Sequence, residues 1–208
     1  MFKLVKINRI MELLKTVFIY FLYFAGLIVF YRGFRYITTP AAKRIGFYKY
    51  YSRIFFILPL GNNLREMHIG TTWDFFRLKR VNQLKLLYFM SEGLINLASA
   101  IEKGEISMNM RFIATVYYFK ASTLGKFGFK VRKLNLKEKL MFMLNYPELC
   151  LIYSISTKKL QLIPLKNINM IDCRGFELVM NKQKFIEHFR KLKLKMTNDA
   201  DMEYILAA

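Results

Sequence analysis

The sequence predicts an α/β or α+β fold, with one small mixed sheet and packed helices preceded by an N-terminal transmembrane helix. Three observations predict it. Thr16–Tyr31 (TVFIYFLYFAGLIVFY) carries no charge and lies between Lys15 and Arg32. Short β-branched and aromatic runs then alternate with amphipathic runs, the pattern of strands and helices in one domain. The chain has 208 residues, and removing the anchor leaves enough for one core of ordinary size.

Residues 1–15 are a basic flank with Lys3, Lys6, Arg9 and Lys15. Residues 16–31 are the anchor. About 20 apolar residues span a bilayer, so this run is short. Ile10, Met11, Leu13 and Leu14 extend it when Glu12 and Lys15 sit at the interface. A cleaved signal peptide would need small residues after its apolar core, and here Arg32, Arg35 and Tyr36 follow instead. The segment therefore reads as an uncleaved, single-pass anchor.

Residues 32–63 form a basic, aromatic juxtamembrane stretch. Arg32, Arg35, Lys43, Arg44, Lys49 and Arg53 are a denser cluster than the first flank and favour a cytoplasmic C-terminal domain in an inner membrane. Ile54–Leu60 (IFFILPL) has two readings: an interfacial segment continuing Tyr36–Tyr51, or the first buried strand. Pro59, Leu60, Gly61, Asn62 and Asn63 punctuate the chain, and the folded domain is placed at residues 64–196.

Within it, Arg65–Leu78 reads as one strand or a hairpin, because Trp73, Phe75 and Phe76 favour extended structure. Leu84–Lys103 is helical, with Leu94, Leu97, Ala98 and Ile101 on one face and Gly104 as a left-handed cap. Phe112–Phe119 (FIATVYYF) is a buried strand. Ala121–Phe127 makes two helical turns stopped by Gly128, and Phe129–Val131 is extended. Leu136–Asn145 is a helix broken by Pro147. Leu149–Ser156 and Leu160–Leu165 form a hairpin through Thr157, Lys158 and Lys159, and Ile168–Cys173 is a further strand. Asn181–Lys195 closes the domain as an amphipathic helix. Phe185, Phe189 and Leu192 face inward, and Lys182, Arg190, Lys191 and Lys193 face outward. Residues 197–208 form an acidic tail with Asp199, Asp201 and Glu203.

Charge narrows the partners. Lys and Arg total 34 against 14 acids, a formal charge of +20. A lysine-rich genome supplies lysines but does not explain so few acids. Anionic membrane lipid and nucleic acid phosphate both fit such a surface. No RNA-recognition, helix-turn-helix or finger signature favours nucleic acid, whereas the anchor favours lipid. The basic face Lys182, Arg190, Lys191 and Lys193 is the expected anionic-surface contact.

Catalytic signals are sparse. No Gly-x-Ser-x-Gly elbow, phosphate-cradling glycine loop or metal-ligand spacing occurs, so neither cofactor nor metal is expected. Cys150 and Cys173 read as small buried hydrophobes. His188 stands among basic residues on the last helix as a solvated position. His68 and Asp74, near Glu66, Thr71 and Thr72, are the one polar centre an enzyme acting on lipid or glycan would use. Gly125-Lys126-Phe127-Gly128 matches the Gly-x-x-Gly of a KH loop, but the residues after Gly128 read as strand, so the glycines end a helix instead.

Phe112–Lys133 (FIATVYYFKASTLGKFGFKVRK) runs strand, short helix, Gly-Phe, strand. With the preceding His68-Ile69 element and the Leu94–Ile101 helix, it resembles small, poorly characterised bacterial domains sometimes attached to polysaccharide deacetylases. The resemblance covers about half of the domain. It rests on hydrophobic pattern and Gly128-Phe129, and it carries over no catalytic residue. It implies envelope or polysaccharide work and a second envelope protein as partner. The same stretch is similar to the late helix and strand of acetyltransferases, but their Arg/Gln-x-x-Gly-x-Gly/Ala pyrophosphate loop is missing. The expected function is thus a membrane-anchored, non-catalytic accessory or interaction module. The alternatives are a membrane-associated enzyme centred on His68 and Asp74, and a nucleic-acid-binding protein.

Overall fold

The computed structural model describes residues 2–78, 82–157, 159–165 and 168–198. The chain divides into two compact units, Met1–Ile45 and Gly46–Ala208.

The first unit is one helix, α1 (Phe2–Arg44). It extends past both ends of the uncharged run and through Pro40. Its large apolar side chains stay uncovered: Phe18 is 60% exposed, Phe24 56% and Phe30 74%. The hydroxyls of Thr16 and Thr39 donate to the carbonyls of Glu12 (2.9 Å) and Arg35 (2.7 Å), so these polar groups are satisfied within the helix. From Met11 to Arg44 the helix is long and apolar enough to cross a membrane.

The second unit is mixed α/β. Its elements are β1 (Lys49–Tyr50), β2 (Phe55–Pro59), β3 (Leu64–Ile69), α2 (Thr72–Arg77), α3 (Gln83–Glu102), β4 (Arg111–Val116), α4 (Ala121–Lys126), β5 (Val131–Arg132), α5 (Leu136–Thr157), β6 (Asn169–Arg174), α6 (Gly175–Met180) and α7 (Lys182–Asn198). The strands form one sheet in the order β1-β2-β3-β4-β6-β5. β3 and β4 run parallel and the other neighbours antiparallel.

Side chains alternate across a strand, so each strand feeds two faces. Phe112, Ala114 and Val116 of β4 join the main core with Leu94, Leu97 and Ile101 of α3, Leu178 of α6 and Phe185 of α7. Ile113, on the opposite face, packs against a second core built from Phe142 and Cys150 of α5, Ile163, Ile168 and Met170. α7 packs on α3 rather than on the sheet. The layers therefore run α7, α3 with α6, sheet, α5, and the far end of α5 reaches the main core at Ile152.

α3 is also long and apolar enough to cross a membrane, but most of it is buried in this unit. Leu97 is 0% exposed. Burial, not composition, separates this core helix from α1. Gly104 adopts φ +77° and Gly128 φ +86°, the left-handed conformation that ends a helix cheaply only for glycine. The Gly128 N–H returns to the Gly125 carbonyl at 2.9 Å and the chain enters β5, so this Gly-x-x-Gly is a helix stop.

Four expectations are corrected. The sheet begins before Leu64: Phe55–Pro59 is a buried strand, the second of the two readings of this segment. Arg65–Leu78 is not one strand, because β3 ends at Ile69 and Thr72–Arg77 is helix. Thr71 accepts from the Asp74 N–H and Asp74 accepts from the Thr71 N–H, a capping box that outweighs aromatic β propensity. Pro147 does not break its helix, and no Leu149–Ser156 strand forms; α5 continues to Thr157. Phe142, Cys150 and Ile152 bury its inner face, and that packing offsets the one backbone bond that proline removes. Leu160–Leu165 is likewise not a strand. Lys158 of the expected turn and the acids Asp199, Asp201 and Glu203 lie outside the described residues.

Candidate functional site

Asp74 is the third residue of α2, and the capping box fixes it there. Its Oδ2 accepts from the Tyr50 hydroxyl (2.7 Å), the Thr71 N–H (2.9 Å) and the Thr71 hydroxyl (2.8 Å). The residue is buried. Burial, then the hydrogen bond and negative charge of Asp74, push the Tyr50 hydroxyl well above the usual phenol range. Beside it the Thr72 hydroxyl donates to Glu148 of α5 at 2.5 Å. The cluster ties β1, α2 and α5 together, and Asp74 serves the helix start and the tyrosine.

His68 lies on β3, and its ring stacks on Phe56 of β2 with centroids 5.2 Å apart. Nε2 is 3.1 Å from Glu66 Oε2, in ion-pair reach. The approach is not that of a hydrogen bond, and this buried nitrogen has no hydrogen-bond partner among the described residues. Glu66 and His68 share a face by the two-residue period. His188 is half-buried rather than simply solvated: its ring packs on Phe127 at 4.4 Å, and Nδ1 lies 2.9 Å from the Lys184 carbonyl.

A second charged cluster joins β4, β5, β6 and α5. Arg111 of β4 pairs with Asp172 of β6 through two hydrogen bonds, the Nε bond measuring 2.8 Å. Arg132 of β5 makes a forked pair with Glu138 of α5 at 2.8 and 2.7 Å and approaches Asp172 at 3.9 Å. Glu138 also accepts from the Asn135 N–H at 2.8 Å, closing a capping box at the start of α5. The Arg132 hydrogen bond comes first among the causes that lower the Glu138 carboxyl to about 2. Arg111 likewise holds Asp172 below its ordinary value. The β4–β6 register brings Arg111 to Asp172, and Arg132 and Glu138, six residues apart across the turn into α5, join them there.

Arg111 also borders an open cleft of about 570 Å³ with Arg174 and three asparagines, Asn62, Asn63 and Asn109. Gly61 and Leu64 complete its lining, so its wall mixes apolar surface with the two arginines. Of its two arginines, Arg111 is committed to Asp172.

The outer face of α7 agrees only in part with expectation. Arg190, Lys191 and Lys193 are exposed. Lys182 does not face outward with them, because its ammonium pairs with Glu102 of α3. Phe189 is half-buried against Tyr88, with rings 4.7 Å apart, while Phe185 is the fully buried anchor of this helix. Cys150 and Cys173 are free and buried. Burial pushes the Cys173 thiol up to about 12. Among the described residues, no group of three or more His, Cys, Asp or Glu stands where it could hold a metal ion. No family model, curated protein or solved structure matches this chain.

Proposed function

We propose that the chain is a membrane-anchored, non-catalytic interaction module, held in the bilayer by α1 and offering a basic surface to anionic partners. The observation that carries the proposal is α1 itself. Its uncharged run keeps large apolar side chains in the open along its length, whereas α3, which also has the length and hydropathy to span, is packed into a core. Exposed apolar surface on that scale marks a membrane or partner contact.

The reading extends to a single-pass inner-membrane protein with its globular unit on the cytoplasmic side, since the second basic flank is the denser. Anionic lipid is the first partner such a charge meets once α1 is inserted, and a second envelope protein is the next. The commitment of Asp74 to its cap and to Tyr50 supports a structural role for that residue over a catalytic one.

Vesicle flotation tests the proposal. The full chain floats with neutral and anionic vesicles alike and stays there in high salt. The unit Gly46–Ala208 floats only with anionic vesicles and is released by salt. A full chain that salt strips from vesicles contradicts the anchor. A globular unit indifferent to lipid charge contradicts the basic surface.

A further inference from the structure

We propose that the outer face of α5, with the Leu160–Leu165 segment beside it, lies in the interfacial zone of an anionic bilayer; this rests on the reading of α1 as the membrane anchor. α5 is apolar on two sides. Phe142, Tyr146, Cys150 and Tyr153 turn inward to the second core. Leu136, Leu140, Leu144 and Leu151 recur at intervals that return to one stripe of a helix and face outward, with Met141 and Met143 beside them. All six are exposed. The following segment repeats the pattern: Ile163 is buried, while Leu160 is 98% exposed and Leu162 72%. A helix that is hydrophobic all round belongs in a core or against lipid, and among the described residues the core contacts of α5 lie on its inner side.

Charge selects the occupant. Lys130, Lys137 and Lys139 are exposed at and just before the start of α5. The nearby acids point elsewhere, Glu138 to Arg132 and Glu148 to Thr72. Apolar side chains fringed by lysines are the arrangement of an interfacial helix on anionic lipid, where lysine stems lie along the apolar surface and the ammonium groups reach the phosphates. A second copy of this chain is the poorer occupant, because its own α5 face offers those lysines no acidic counterpart, with Glu138 engaged by Arg132 and Glu148 by Thr72.

The layers fix the consequence for α7. α5 and α7 lie on opposite sides of the sheet, so a flat membrane contacts one outer face and not the other. The outer face of α7 carries Arg190, Lys191 and Lys193 with Leu194 as its exposed apolar residue. With α5 on the lipid, the exposed Arg190 and Lys191 of α7 point into water, where an acidic macromolecule can meet them. This reverses the sequence-based expectation that α7 is the lipid contact.

Depth-dependent fluorescence quenching in the full chain tests the assignment. Four variants, Phe24→Cys, Leu140→Cys, Leu162→Cys and Lys191→Cys, are labelled with a polarity-sensitive dye and reconstituted into phosphatidylglycerol vesicles. All four positions are solvent-facing, so the fold tolerates them. Residues 140 and 162 are expected to give blue-shifted emission, with shallow brominated lipid quenching them at least about twofold more than residue 191. Residue 24 is expected to respond to deeply brominated lipid. Water-like emission at 140 and 162 with deep quenching at 24 overturns the α5 assignment and leaves the anchor standing. Water-like emission at 24 overturns the anchor, and the assignment with it. Cross-linking between Leu140→Cys chains at high lipid dilution overturns the assignment in favour of a second copy. Equal quenching in phosphatidylcholine vesicles overturns the role given to the lysines.

Discussion

The Tyr50 hydroxyl donates to the Asp74 carboxylate at 2.7 Å, joining the edge strand β1 to the first turn of α2. The same oxygen caps the helix through the Thr71 N–H. Asp74→Ala therefore removes a cap and takes the carboxylate acceptor from three part-buried donors, the Tyr50 hydroxyl and the Thr71 N–H and hydroxyl. A cap is worth about 0.5–2 kcal/mol and an unsatisfied buried donor about 1–3. Thermal unfolding of Asp74→Ala should show a clear loss, Tyr50→Phe a smaller one, and the double variant less than their sum. Unchanged unfolding of Asp74→Ala with loss of cellular function would move Asp74 from structure to chemistry.

Gly93 lies where α3 crosses β2, and a Cβ added there would collide with the Phe55 side chain. Glycine to alanine in an exposed helix normally gains about 0.5–1 kcal/mol. At Gly93 the sign should reverse, with a loss of about 1–3 kcal/mol from overpacking. Gly125 of α4 has open space around its Cβ position. Gly125→Ala is the control and should hold or raise the melting temperature. A stabilised Gly93→Ala would show that α3 and β2 do not meet as closely as the Gly93–Phe55 contact requires.

The Arg132–Glu138 pair sets an acid limb. The Glu138 carboxyl is depressed in the folded state to about 2, against about 4.3 unfolded. Its stabilisation is present above the unfolded value and is lost as pH falls from there through about 2. Two-fifths of the Arg132 side chain remains in water, so screening holds the effect to about 0.5–1 kcal/mol. Arg132→Gln should lower stability at neutral pH by that amount and flatten the decline between about pH 4.5 and 2. Parallel acid limbs for the two proteins would remove the pair from the stability account.

The strands and helices most legible in the sequence were those whose burial pattern is local. β4, α3 and α7 follow from their own periodicity, and Gly104 and Gly128 from the conformation only glycine adopts freely. Thr71 and Asp74 carried a readable signal, a capping box, that three aromatics between and after them obscured. Pro147 misled because the bond it removes is a local quantity, whereas the burial of Phe142 and Cys150 against Met170 depends on strands far away in sequence. The Arg111, Asp172, Arg132 and Glu138 network was illegible for the same reason: Ile113 stands opposite Asp172 and Arg111 opposite Arg174 only through a register that the sequence does not state. The helical position of Lys182 permits a solvent-facing side chain; its pairing with Glu102 depends on how α7 meets α3.

The central claim is that α1 holds the chain in a bilayer, and alkaline extraction of membranes carrying the full chain tests it most directly. Alkali opens vesicles and strips proteins held by charge, while a hydrophobic spanning helix stays with the lipid. The full chain is expected in the pellet after successive high-salt and alkaline washes, and the Gly46–Ala208 unit in the supernatant. Recovery of the full chain in the alkaline supernatant, with its melting transition intact, would contradict the account and leave only surface adsorption.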